Sequence, residues 1–177
     1  MTVVELPEHP VAAGLEPVHG RWGLTVQRDL PHRAEAVWAA LTRAAVVAHW
    51  APFAPARDLD AAGEVALPEI GDADSTTSGV VLEACPPTAL AVCWDADELR
   101  FTVEPVGSNS SALRFTHTFA DQIMAPSYAA GWHLCLAALA AVLDGVDNPP
   151  VAGEAAKHRG WERHRHAYGE LLGIPLH

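Results

Sequence analysis

One histidine in the sequence lies where a polar side chain must have a partner. Between Leu113 and Phe119 apolar positions alternate with polar ones, and His117 falls on the apolar parity, two residues after Phe115. Alternation at a period of two predicts a strand with one covered face, so the imidazole points to the covered side. There it can contact a ligand or act as a general base. The alternative is a core histidine paired within the protein, as buried polar groups usually are.

Large aromatic side chains form the second set of candidates. Trp132 and His133 are neighbours on a long apolar segment, about 100° apart around a helix axis, so we place Trp132 inward and His133 on the flank of the core. Aromatic walls suit flat or apolar ligands, although the same side chains also fill ordinary cores. No catalytic residue is assigned. The predicted ligand-binding residues are His117, Trp94, Trp132, Trp50, Phe53, Tyr128 and Phe115.

Arg28 is the charged residue whose strand parity turns it inward. It could anchor the acid group of a ligand in a cavity. The alternative is that it packs its stem and pairs at a sheet edge, with Glu83 or Glu98 as partner. The sequence leaves these alternatives open.

Other polar clusters indicate no metal or cofactor. The chain has no H-E-x-x-H, G-x-S-x-G, P-loop or G-x-G-x-x-G motif. His158, His164 and His166 cluster near the end of the chain, but His164 and His166 are two residues apart, so they do not share a helix face and do not form a metal motif. We expect this cluster to be a solvated face of the last helix. The run from Asp95 to Glu98 is too short for a calcium loop and is typical of a hairpin turn.

Composition excludes several partner classes. The chain has 177 residues and a formal net charge of −11, which disfavours nucleic acid and anionic membrane surfaces. Three widely spaced cysteines favour free thiols in a reducing compartment. The N-terminus lacks the pattern of a signal peptide, and no long uninterrupted apolar run predicts membrane insertion. We therefore expect a cytoplasmic protein whose partner is a small hydrophobic molecule. The sequence does not decide between a monomer and a homodimer.

The elements that must position these residues follow from hydrophobic periodicity. A strand at 24–30 ends at Pro31, and two short helices follow it. A long apolar helix is predicted from Ser127 to Leu143, and a last helix from about Glu154 to Leu172 should lie on the surface. Strands are predicted at about 56–60, 63–68, 78–85, 89–95, 98–106 and 111–119.

These elements favour an α+β fold in one main domain. The simplest arrangement is a curved antiparallel sheet of about six or seven strands wrapped around the long C-terminal helix, with two short helices after the first strand. Residues 1–21 are predicted as an irregular arm, because proline and glycine recur in them. Residues 22–146 form the domain, and 147–177 form a C-terminal extension with an additional surface helix.

Two sequence strings in a fixed order resemble a known family. The first is RDLP at 28–31 followed by EAVWAALT at 35–42, and the second is LRFTHTF at 113–119 followed by AGWHLCLAAL at 130–139. Together they resemble the START-like, or birch-pollen-allergen-like (SRPBCC), superfamily, in the branch named after the activator of the heat-shock protein 90 ATPase. The resemblance implies a helix-grip fold with a cavity between sheet and long helix.

What that resemblance implies about function is broad. Members of the superfamily include lipid and hormone carriers, aromatic polyketide cyclases and many bacterial proteins of uncharacterised role. Co-chaperone activity belongs to larger relatives with an additional N-terminal domain, so we do not expect it here. The prediction is that a small hydrophobic or aromatic ligand binds in a closed internal cavity. The alternatives are a cyclase or lyase that uses the same cavity and a co-chaperone-like interaction module. One plausible base without a partnered acid favours binding over catalysis.

Overall fold

A seven-stranded antiparallel sheet carries the fold. The computed structural model describes residues 12–147 and 152–176. The strands are β1 (Ala13–Val18), β2 (Arg21–Leu30), β3 (Gly63–Ala66), β4 (Ser78–Cys85), β5 (Ala89–Trp94), β6 (Asp97–Gly107) and β7 (Ser110–Phe119). Their order across the sheet is β1-β2-β7-β6-β5-β4-β3. Only the pairing of β2 with β7 joins strands distant in the chain.

Five α-helices lie within the described residues. They are α1 (Ala34–Thr42), α2 (Ala44–Val47), α3 (Ala125–Leu143), α4 (Glu154–His158) and α5 (Trp161–Leu172), with a single 3₁₀ turn at Gln122–Met124 before α3. The alternating residues of β6 and β7 face α3, where Phe101, Phe115 and Leu139 are each at most 2% exposed. Each buried side chain of this size contributes about 1.5–3 kcal/mol. The predicted α+β fold, with a long helix held by a curved antiparallel sheet and two short helices after a strand, is confirmed.

Helix α5 covers the side of α3 that faces away from the sheet. Tyr168 of α5 is completely buried, and His133 of α3 and His164 of α5 are each 1% exposed between the two helices. The prediction of a solvated histidine face is therefore wrong for His164 and right for His158 and His166, which are exposed. Helix α3 is buried around most of its circumference because it has a neighbour on both sides.

The N-terminal segment is more regular than predicted. Ala13–Val18 pairs with β2 as an edge strand, whereas 1–21 was expected to be an irregular arm. The connection to β2 is a two-residue turn in which both His19 and Gly20 have positive φ, as tight hairpins require. Residues 1–11 of the predicted arm lie outside the described residues.

The predicted strand at 56–60 is a loop. The guanidinium of Arg57 donates to the backbone carbonyls of Asp58, Ala61, Gly63 and Glu64 at 2.8–3.1 Å. One side chain therefore satisfies carbonyls that a strand would have satisfied with a neighbouring strand.

The last helix is divided into two. Gly160, with φ of +84°, separates α4 from α5, where one helix was predicted from Glu154 to Leu172. That left-handed conformation ends a helix and suits glycine. The break makes Glu154–His158 a separate helix of five residues.

Candidate functional site

A pocket of about 550 Å³ lies beside the N-terminal half of α3. It has three walls. Helix α3 supplies one, the ends of β5 and β7 supply the second, and the segment around α4 supplies the third. The side chains that form most of these walls are Trp94, His117, Tyr128, Trp132, Cys135, Ala156 and Trp161.

The pocket reaches the surface, which corrects the prediction of a closed cavity. Its rim includes Gly71, Gly153, Glu154 and Lys157, which are all exposed. Lys157 and Glu154 pair with each other at 2.8 Å across one turn of α4. The ion pair lies in solvent, so the charges at the rim are already balanced.

A missing side chain widens the α3 wall. Gly131 lines the pocket, and a Cβ added there would have no heavy atom within 4 Å. Glycine in a helix interior costs about 0.5–1 kcal/mol relative to alanine. This position therefore leaves open space at some cost in helix stability.

His117 has a partner on each ring nitrogen. The indole Nε1–H of Trp132 donates to Nδ1 at 3.1 Å, and Nε2 lies 2.9 Å from Oδ2 of Asp97. Because Nδ1 accepts, the ring proton is on Nε2 and donates to the carboxylate. The imidazole is 1% exposed, and its face packs on Tyr128 with ring centroids 4.6 Å apart.

The network extends from His117 to the surface. Oδ1 of Asp97 accepts a hydrogen bond from Arg21 at 2.7 Å, and the two side chains are 22% and 36% exposed. The guanidinium balances the carboxylate, and the carboxylate holds the imidazole in one tautomer. A general base needs a free lone pair, and in this arrangement His117 has none.

Asp97 is the residue that sequence reasoning missed. The run from Asp95 to Glu98 was predicted as a hairpin turn, and the turn itself consists of Asp95 and Ala96. The signal lay in β6, where Leu99 and Phe101 face inward, because Asp97 has the same parity. The inference that the candidate base had no partnered acid is therefore wrong.

Two groups on the wall titrate outside the neutral range. Burial, followed by the nearby carboxylates of Asp97 and Asp121, raises the pKa of the Tyr128 phenol. Burial alone raises the pKa of the Cys135 thiol to about 12. Both side chains are therefore neutral at physiological pH, and Cys135 is a poor nucleophile there.

Four of the seven predicted ligand-binding residues lie on the pocket wall, namely Trp94, His117, Tyr128 and Trp132. The other three belong to the core behind it. Phe53 packs against Trp94 with ring centroids 5.1 Å apart, and Phe115 packs against Trp132 with ring centroids 4.3 Å apart. The indole N–H of Trp50 donates a hydrogen bond of 2.9 Å to the carbonyl of Ala40. Trp161 is a wall residue that was not predicted, because its position depends on the break at Gly160.

Arg28 lies apart from the pocket. Neither predicted partner reaches it, since Glu83 and Glu98 both pair with Arg100, at 2.6 and 3.2 Å. Burial lowers the pKa of Arg28, and the nearby Tyr168 and Asp144 oppose that change. Its position beside α5 assigns it to the packing of the C-terminal helix.

Below α5 lies a second polar cluster. Nδ1 of His133 is 2.9 Å from the hydroxyl of Tyr168, and the rings of His133 and His164 stack with centroids 4.1 Å apart. Arg165 donates to the hydroxyl of Ser127 at 3.2 Å and ties the same two helices together. These contacts dock α5, which supplies Trp161 to the pocket.

Two further properties of the described residues bear on function. Within 12–147 and 152–176, no group of three His, Cys, Asp or Glu side chains is placed to hold a metal ion. The segment Gln122–Leu143 is long and apolar enough to cross a membrane, but about 67% of its most apolar stretch is buried inside the protein. That is the position of a core helix in a soluble domain.

Comparison with known proteins gives one family and one fold. The family model described as "Activator of Hsp90 ATPase homolog 1-like protein" matches residues 31–144. No curated protein matches the chain in sequence. The chain is similar to the crystal structure of CalU16 from Micromonospora echinospora, with a TM-score of 0.70, 20% identity and coverage of 92% of this chain and 96% of that one.

Two other solved structures share the fold. A conserved protein of unknown function from Enterococcus faecalis, EF2215, has a TM-score of 0.69 at 14% identity, over 93% of this chain and 92% of that one. The AHSA1 protein from Silicibacter pomeroyi has a TM-score of 0.56 at 22% identity, over 69% and 97%. These similarities support the helix-grip architecture.

Proposed function

Because the chain belongs to the family of activator of Hsp90 ATPase homolog 1-like proteins, and because it carries an aromatic pocket, we propose that it binds a small, uncharged hydrophobic or aromatic molecule. The observation that carries the proposal is the pocket of about 550 Å³ between α3, the sheet and α4. Pockets of about 300–1,000 Å³ lined by apolar and aromatic side chains are typical of small-molecule sites.

The chemistry of the walls supports an uncharged ligand. Trp94, Trp132 and Trp161 offer aromatic surface, and the Cys135 thiol, which also lines the pocket, is neutral. Lys157 and Glu154, the charged residues of the rim, pair with each other. A ligand charge placed deep in the pocket would lose water without gaining an oppositely charged partner there, which is costly.

The hydrogen bonds of His117 favour binding over proton transfer. The cyclase or lyase alternative needs a base with a lone pair directed at the ligand. Nδ1 of His117 is occupied by the Trp132 indole, and Nε2 carries the proton shared with Asp97. Catalysis at His117 would first have to break one of these bonds.

Gly131 provides a direct test. A Cβ added there meets no heavy atom within 4 Å, so a larger side chain at this position has room to enter the pocket. We expect a naphthalene sulfonate dye, with its ring system in the pocket and its sulfonate at the rim, to bind the native protein at neutral pH and gain fluorescence. Gly131→Leu and Gly131→Phe should weaken dye binding by about tenfold or more, which corresponds to about 1.4 kcal/mol.

Gly131→Ala is the matched control. It adds one methyl group at the same position, so it should keep most of the dye affinity while stabilising α3 by about 0.5–1 kcal/mol. Thermal melting followed by circular dichroism checks that all variants are folded. Native wild-type protein that takes up no dye, or a Gly131→Phe variant that binds it as well as wild type, would contradict the proposed function.

A further inference from the structure

A chain of three hydrogen bonds connects solvent to the pocket wall. It consists of the side chains of Arg21, Asp97, His117 and Trp132, called here the Arg21–Trp132 relay, with successive distances of 2.7, 2.9 and 3.1 Å. We propose that Asp97 is a positioning residue: acting through His117, it holds the Trp132 indole in place as a wall of the pocket. The consequence for ligand affinity rests on the proposed binding function.

The first argument is that Trp132 needs an acceptor. Its side chain is 4% exposed, and a buried indole N–H without a partner is costly. Nδ1 of His117 supplies that acceptor, but only in the tautomer that carries its proton on Nε2. The relay therefore requires a group that selects this tautomer.

Asp97 is that group. A carboxylate accepts hydrogen bonds and donates none, so Oδ2 at 2.9 Å from Nε2 requires the proton on that nitrogen. If Asp97 were absent, the His117 tautomer with its proton on Nδ1 would become accessible. In that tautomer the Nδ1–H of His117 and the indole N–H of Trp132 would point at each other. Arg21 orients the carboxylate by donating a hydrogen bond to Oδ1.

The second argument concerns the place where Trp132 borders the pocket. Phe115 packs against the indole with ring centroids 4.3 Å apart. Trp132 also lines the pocket, and its neighbour Gly131 leaves space unfilled there. Where the indole borders the pocket it has fewer packing neighbours, so its hydrogen bond to His117 contributes to fixing its orientation.

One member of the relay, Asp97, is partly exposed at the surface. Asp97 is the first residue of β6, paired in register with Trp94, which also lines the pocket. Its carboxylate is 22% exposed, whereas His117 is 1% exposed. A change at this partly exposed position should therefore alter a buried wall without adding or removing any atom of the wall itself.

The neighbouring carboxylate supplies a matched control. Glu98 follows Asp97 in the same strand, pairs with Arg100 at 3.2 Å and has no bond to the relay among the described residues. Asp97→Ala and Glu98→Ala each remove one partly exposed ion pair. Only the first removes the partner of His117.

Three measurements test the proposal. Nitrogen-15 NMR of the imidazole should show a protonated Nε2 and an unprotonated Nδ1 in wild type and Glu98→Ala, and a mixture of tautomers in Asp97→Ala. Hydrogen exchange of the Trp132 indole N–H should be slow in the first two proteins and at least about tenfold faster in Asp97→Ala. Asp97→Asn, whose amide oxygen still accepts from Nε2–H but whose amide nitrogen cannot accept from Arg21, should restore part of the protection.

Dye affinity is the third measurement. It should fall by about tenfold in Asp97→Ala and by less than about twofold in Glu98→Ala. If the wild-type protein binds no dye, the proposed function fails, while the tautomer and exchange data still decide the role of Asp97. The proposal is overturned if Asp97→Ala keeps the wild-type tautomer and indole protection, or if Glu98→Ala changes them to the same degree.

Discussion

The bond between Trp132 and His117 predicts a specific energetic coupling between an α3 residue and a β7 residue. His117→Phe preserves an aromatic ring in a site that is 1% exposed, but it leaves the Trp132 N–H buried without an acceptor. Such an unsatisfied donor costs about 1–3 kcal/mol. Losing the bond to His117 costs less free energy at Asp97, because that carboxylate remains paired with Arg21 and is 22% exposed. For a chain of this length each kcal/mol lowers Tm by about 2–4 °C.

A double-mutant cycle isolates the bond from the volume changes. Trp132→Phe alone leaves Nδ1 of His117 without its donor, and the double variant removes both partners. The double variant should be more stable than the sum of the two single effects predicts, by about 1 kcal/mol or more. Urea unfolding of the four proteins, followed by far-UV circular dichroism, measures the coupling. Additivity within about 0.3–0.5 kcal/mol would refute the argument that this bond satisfies the indole.

Three further predictions concern the core and its titratable groups. Leu139→Asp should cost more than about 4 kcal/mol and abolish the cooperative thermal transition, because it buries an unpaired carboxylate at a position that is 0% exposed; a near-native Tm would contradict the packing of α3. Burial, followed by the charge of a neighbouring arginine, lowers the pKa of His164 below its ordinary 6.5. The unfolded chain then takes up this proton first, so stability that is present above about pH 6.5 is lost as the pH falls. His164→Gln should therefore flatten the dependence of the urea midpoint on pH between pH 7.5 and 5.5. Iodoacetamide at pH 8 should label exposed Cys85 in the native protein and leave Cys135, with its pKa of about 12, unmodified, as peptide mass spectrometry would show.

The sheet and the long helix were predictable because their periodicity is a local property of the sequence. Strands β6 and β7 begin and end within one residue of the predicted bounds, since alternation in each run marks where the covered face starts. Strand β1 was missed because Pro17 and two glycines resemble a loop, although proline is tolerated on an edge strand. The loop at 56–60 was mistaken for a strand because the hydrogen bonds of Arg57 to four carbonyls produce no periodic pattern in the sequence.

The site was predictable in its parts and not in its connections. Strand parity placed His117 inward, and helical spacing placed Trp132 inward. Their hydrogen bond, however, depends on how α3 is positioned along β7. The partnership of His117 with Asp97 depends on the register of β6 against β7, which pairs Leu99 with His117. The wall at Trp161 depends on the path of the chain after Gly160, which no periodicity in the sequence determines.

The relay also explains how a pocket can be apolar although a histidine and a tryptophan, both with polar atoms, form its wall. Each polar atom of these two side chains is bonded to another protein group, so neither side chain offers the pocket a free donor or acceptor. The same bonds link the binding and the enzymatic alternatives. A ligand that accepted the Trp132 N–H would release Nδ1 of His117, and the imidazole would then have a free lone pair backed by the carboxylate of Asp97. Catalysis at this site would therefore require a ligand whose acceptor group takes the hydrogen bond of the Trp132 indole. A ligand without such a group would leave all three hydrogen bonds of the relay in place, and the protein would only bind it.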